Sequence, residues 1–281
     1  QGEVQVLDNA YLVIRNGIIQ DFGPMSECPS TELTHHDCSQ KLVMPMYVDS
    51  HTHLVFANSR SDEMKMRLHG KSYQEIADAG GGILNSAKKL HDMSEQKLYD
   101  DAHLRLEQVI KSGTGAIEIK SGYGLNIEDE MKMLRVIRVL KQLSPIPIKS
   151  TFLGAHAVPE EFKNNKAAYM YLVCNEMLPR IAGENLADFI DIFCETGYFD
   201  LDDLKQIIEA GDKYGIKAKV HVNQFNSFGA VQLACTHGAL SVDHLEVMKE
   251  EDYIALEQSN TLATALPLCS LFLDIPYTPG K

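Results

Sequence analysis

"MPMYVDSHTHLVFANSR" occupies residues 44–60, a short apolar run that reads as a strand and ends with two histidines one residue apart. Successive side chains alternate across a strand, so His51 and His53 point to the same face, roughly 6.6–7 Å apart at Cα. That spacing lets two imidazoles reach one ion. An H-x-H pair also fits two histidines in a polar turn, so the decision falls to the rest of the chain.

From residue 43 onward, short apolar strands alternate with amphipathic helices. Strands are expected over 43–51, 115–122, 146–156, 189–195, 216–222, 239–244 and 261–267. Helices are expected over 94–111, 127–143, 166–181, 201–214, 227–236 and 249–258, with Leu201, Leu204, Ile207 and Ile208 marking one apolar stripe. This alternation implies an α/β fold with a parallel sheet. The position of the polar residues separates a doubly wound sheet from a barrel. His51, His53, Lys120, His156, Glu195, His221, Gln224 and His244 sit at or just after the ends of different strands. A barrel gathers function in that way, whereas a doubly wound sheet concentrates it at one switch point, usually with a glycine-rich phosphate loop. No G-x-G-x-x-G follows a strand. A (β/α)8 TIM-type barrel is therefore expected, with seven of its strands in this sequence.

The first 42 residues differ. "VLDNAYLVIRNGIIQDFG" (6–23) alternates and turns at Asn16-Gly17, a hairpin signal, and 24–40 reads as loop. A small β unit over 1–42 and the barrel over 43–281 are the expected domains.

Composition narrows the function classes. The 281 residues are 44% hydrophobic and 23% charged, as in ordinary globular proteins, and the net charge is −13. That balance disfavours nucleic-acid and anionic-membrane partners, and no apolar run of about 18 residues suggests a membrane span. Six scattered cysteines without C-x-x-C pairs read as reduced thiols of a cytoplasmic protein. Gln1 is not an initiator methionine and no leader pattern follows it, so the chain reads as an internal or processed portion.

His221 and His244 each end a strand further round the sheet. Either alone reads more readily as a core histidine. With His51 and His53 they form a three-histidine site with a fourth histidine nearby for proton transfer. A catalytic metal needs three or four protein ligands and an open position, and it acidifies water there. His244 is the expected acid/base, since imidazole titrates near neutrality.

Six stretches then carry a resemblance: "PMYVDSHTHLVFANSR", "YQEIADAGGGI", "EIKSGYGL", "TFLGAHAVP", "KVHVNQFNSFGA" and "SVDHLE". In that order the chain resembles the imidazolonepropionase family of the metal-dependent amidohydrolase superfamily. The resemblance implies a small β-sandwich unit that includes the N-terminal segment. It implies one zinc or iron ion on His51, His53 and His221, with an aspartate from an eighth strand beyond Lys281, and His244 as catalytic residue. It places Arg60, Tyr73, Tyr123, His156 and Gln224 against a small-molecule substrate, imidazolone propionate, in a homodimeric enzyme of histidine degradation. The residue chemistry agrees: an arginine fork suits the propionate, and Tyr and His suit a flat polar ring. Plainer readings stand beside these. Arg60 also fits a surface ion pair, Tyr73 helix packing, and Tyr123 a loop anchor between glycines. Gln224 cannot serve as an acid or base, which sets it apart from related deaminases that resemble this chain but carry glutamate there. Lys120 and Lys149 invite comparison with a metal-bridging lysine, but neither falls in such a motif. Another cyclic amidohydrolase or deaminase, or a metal-free barrel serving as a binding module, are the rival expectations.

Overall fold

The computed structural model describes residues 5–30, 32–71, 75–76 and 80–280. Chain contacts divide it into two compact units, Gln1–Pro45 and Met46–Lys281.

In the first unit, β1 (Ala10–Arg15) and β2 (Ile18–Pro24) pair antiparallel. Asn16 and Gly17 between them take φ of 52° and 76°, the positive values a tight hairpin turn of this kind requires.

The second unit is a parallel seven-stranded sheet in strict chain order: β3 (Tyr47–Thr52), β4 (Thr114–Lys120), β5 (Ile148–Ala155), β6 (Phe189–Cys194), β7 (Lys217–Val222), β8 (Ser241–His244) and β9 (Leu262–Ala265). Helices fill the connections, as the strand–helix alternation predicts, and the sheet curls into a barrel, as the polar residues at the strand ends predict. Among the described residues no pairing joins β9 back to β3. The first barrel strand begins at Tyr47 rather than 43, because Pro45 lacks the N–H a ladder needs.

Helix boundaries follow local chemistry. Ser94 caps Glu95–Lys111 and Asn126 caps Ile127–Leu143, each side chain accepting a backbone N–H of the first turn. Asp200 and Asp203 form a capping box at the start of Leu201–Asp212, whose Leu204, Ile207 and Ile208 are buried. The expected helix over 166–181 is in fact Lys166–Leu172 and Leu178–Gly183 joined by a π-turn at Val173–Met177. Among the described residues, the helices Ser61–Leu68, Gly82–His91 and Pro267–Leu273 were not expected. The last of these has proline in its first turn, where a missing N–H costs nothing.

The core is a continuous layer between strands and helices, including Ile119, Phe152, Ile190, Val220 and Val242. No helix among the described residues is long and apolar enough to cross a membrane. All six cysteines are free of disulfides.

Candidate active site

The strand ends bring the predicted histidines together. His51 comes from β3, His53 follows it, His156 follows β5, His221 lies in β7 and His244 ends β8. One ligand nitrogen from each of His51, His53 and His221 lies within 4.8 Å of the others. Nε2 of His53 and Nε2 of His221 face each other at 3.4 Å. The His244 ring sits 5.3 Å from that of His51 and 5.1 Å from that of His221.

A buried charged layer lies behind these rings. Asp243 Oδ2 accepts from Nδ1 of His51 at 2.7 Å. Burial opposes the charge of Asp243, but the ammonium groups of Lys120 and Lys219 outweigh it and hold its pKa below the usual carboxylate value. The carboxylate therefore accepts, Nδ1 of His51 donates, and Nε2 carries the lone pair. Nδ1 of His221 lies 2.8 Å from Asp191 Oδ2, too far off line to form a hydrogen bond. Burial, reinforced by positive neighbours, pushes the pKa values of His51, His53 and His221 well down, so all three rings are neutral at pH 7.

Lys120 is the hub of that layer. Its Nζ lies 2.8 Å from Glu118 Oε1, 2.9 Å from Asp191 Oδ2 and 3.8 Å from Asp243 Oδ2. Burial disfavours its charge, yet the three carboxylates raise its pKa above the ordinary lysine value. Lys149 instead pairs with Asp188 near the surface at 3.0 Å. Three neutral imidazoles, one seated on a carboxylate and one beside another, make a donor set that suits a divalent transition ion.

A cavity of about 460 Å³ opens above the histidines, and Arg60, Tyr123, His156, Gln224 and His244 all line it. Tyr123 stands in a tightly held loop. The Glu130 carboxylate accepts from the N–H groups of Gly122, Gly124 and Leu125, at 2.7 Å for Gly124. A side chain at Gly124 would meet the backbone N of Glu130 at 2.2 Å. Nδ1 of His156 donates to the Gly122 carbonyl at 2.9 Å, and burial pushes its pKa down to about 4. Its ring stacks on that of His53, with centroids 5.1 Å apart and planes at 11°. Gln224 donates from Nε2 toward Cys269 Sγ at 3.5 Å. His244 and Leu245 take φ of 89° and 65°, conformations that cost side-chain-bearing residues on the order of 1–3 kcal/mol each and gather at functional sites.

Arg60 combines both of its readings: it lines the cavity and is ion-paired with Glu63 at 2.5 Å. Tyr73 lies outside the described residues. Sequence reasoning did not single out Glu63, Asp191 or Asp243. For the two aspartates the available signal was a lone acid inside an apolar strand, "FIDIFC" and "SVDH".

Among known proteins no family model matches the chain. An imidazolonepropionase from Christiangramia forsetii is 52% identical over 280 residues, which are 99% of this chain and 68% of the relative. A second, from Flavobacterium psychrophilum, is 52% identical over 281 residues and again 68% covered. The chain belongs to the imidazolonepropionase family. It spans about two thirds of the length of these family members. Solved structures share its barrel at much lower identity. A 5-methylcytosine deaminase from Klebsiella pneumoniae gives a TM-score of 0.69 at 13% identity, covering 93% of this chain and 63% of the other. A guanine deaminase from C. acetobutylicum gives 0.61 at 12% identity, covering 98% and 66%. At that identity the likeness speaks for the fold alone, so the imidazolonepropionase assignment rests on the sequence relatives.

Proposed function

We propose that this chain carries the hydrolytic site of an imidazolonepropionase, which opens the imidazolone ring of 4-imidazolone-5-propanoate to give N-formimidoyl-L-glutamate. The observation that carries this reading is the convergence of three neutral imidazoles, His51, His53 and His221, at the floor of a cavity whose wall presents an arginine. One zinc or iron ion is the cofactor in this reading, held by those three histidines. When bound, it supplies Lewis-acid polarisation and activates water at neutral pH.

The chain's own residues do the rest. Arg60 binds the substrate's propionate through its guanidinium fork. Tyr123 and His156 grip the flat ring, with Tyr73 assigned to the same task. His156 donates from Nδ1 to a backbone carbonyl, so its neutral ring offers Nε2 as an acceptor for a substrate N–H. Gln224 donates to or accepts from the lactam-like ring without moving a proton. His244 takes the proton of the attacking water and delivers it to the ring nitrogen as the C–N bond breaks. A cytoplasmic homodimer with a small-molecule substrate completes the proposal.

Ring opening followed with purified protein tests it. Chelation should abolish turnover, and zinc or ferrous ion should restore it. His244→Ala should cut kcat by about 10²-fold or more, in line with the usual contribution of a positioned acid/base. Full activity in that variant would remove His244 from the mechanism. Arg60→Ala should raise KM for the propionate-bearing substrate, and an unchanged KM would favour a different cyclic amide.

A further inference from the structure

Arg60 does not reach the cavity unsupported. It stands immediately before the helix Ser61–Leu68, and Glu63 lies in that helix's first turn. Glu63 is buried, and its two carboxylate oxygens point to two different partners. Oε2 accepts from Arg60 Nε at 2.8 Å and lies 2.5 Å from Nη2. Oε1 accepts from the backbone N–H of Gly82 at 2.9 Å. The glycine run around residue 81 fits this contact closely. Gly82 takes φ of 74°, and a side chain at Gly81 would meet Ile76 Cγ2 at 2.8 Å and Glu63 Oε1 at 3.2 Å.

A single buried carboxylate thus ties the guanidinium to the start of the helix Gly82–His91. It engages the Nε–Nη2 edge of Arg60 and so fixes the plane of the guanidinium. A planar fork held along one edge keeps its orientation, and less side-chain entropy is then lost on binding. The charge balance points the same way. Arg67, one turn further along the helix, also lines the cavity, and Glu63 offsets one of the two arginine charges there.

We infer that Glu63 is the positioning residue of the carboxylate subsite: it aims the Arg60 fork at the substrate's propionate and fixes it to the glycine loop. This rests on the proposed role of Arg60 above.

Glu63→Gln isolates the guanidinium arm, because the amide oxygen can still accept from Gly82. Steady-state kinetics would compare the propionate substrate with its propionamide counterpart in Glu63→Gln, Glu63→Asp, Arg60→Gln and the Glu63→Gln/Arg60→Gln double variant. Glu63→Gln should raise KM for the propionate substrate about tenfold, with kcat within about twofold, and leave the propionamide parameters alone. Glu63→Asp should recover part of the loss. In the Arg60→Gln background, Glu63→Gln should add nothing, since coupled residues are not additive. Equal losses on both substrates, or the same tenfold loss on top of Arg60→Gln, would overturn the inference and make Glu63 a general structural residue. If Arg60→Gln raises KM but Glu63→Gln does not, positioning by Glu63 fails while the arginine's role stands. If Arg60→Gln leaves the propionate KM unchanged, both fail together.

Discussion

Asp243→Asn separates two jobs that one buried side chain performs. Its Oδ2 accepts from Nδ1 of His51 at 2.7 Å and lies 3.8 Å from the Nζ of Lys120 and 3.7 Å from that of Lys219. At an effective dielectric of ~20, each of those two charge pairs is worth about 4 kcal/mol of Coulomb attraction. The two lysines do not lose equally. Lys120 keeps Glu118 and Asp191 at 2.8 and 2.9 Å, whereas Lys219 keeps the Ser241 hydroxyl at 2.8 Å and only the more distant charge of Glu118. The expected cost is therefore that of one buried charge losing its close ion-pair partner, up to about 3–5 kcal/mol. Urea unfolding of the metal-free protein measures it without the complication of a bound ion. The second job is to hold the His51 ring in the tautomer that presents Nε2. Losing such a carboxylate partner typically weakens metal binding 10–100-fold, which chelator competition would read directly. A metal affinity within about threefold of wild type would refute the orienting role. A stability loss under about 1 kcal/mol would refute the claim that the lysines depend on this carboxylate.

Three further outcomes are expected. His156, with its pKa pushed down to about 4, binds a proton less tightly in the fold than in the unfolded chain, so acid favours unfolding. Its contribution is nearly absent above pH 6.5 and costs about 2 kcal/mol by pH 5, and urea titrations should show His156→Gln losing correspondingly less stability over that window. Gly122→Ala places a methyl 2.9 Å from His156 Nδ1 at a φ of +110°, so unfolding free energy should fall by about 1–3 kcal/mol and KM should rise as the ring shifts; unchanged values would show that the loop gives way freely. Removing the ion should lower Tm, because an ion present at about 1,000 times its Kd stabilises by about 4 kcal/mol, and His53→Ala should abolish most of the Tm gain on adding zinc.

The barrel and its histidines were legible in the sequence for one reason: strand ends are marked locally, by an apolar run that stops at a polar side chain. His51, His53, His156, His221 and His244 are each readable in that way from a handful of neighbours. What lies behind them is not. Barrel strands are buried on both faces, so alternation no longer tells which acid points inward, and Asp191 reads the same either way. The π-turn at Val173–Met177 was hidden for a related reason, since one extra residue per turn barely disturbs an apolar stripe. The Arg60–Glu63 pair had a visible i,i+3 spacing, yet on a helix such spacing usually marks a solvated surface pair. The limit is sharpest at the histidines themselves. His51 is neutral because it is buried beside positive neighbours such as Lys120, and which nitrogen it presents depends on Asp243 at a separation of 192 residues and on the lysines that keep Asp243 ionised. The identity of a candidate ligand is thus a local property of the chain, while its protonation and aim are set by charges delivered from strands on other parts of the barrel.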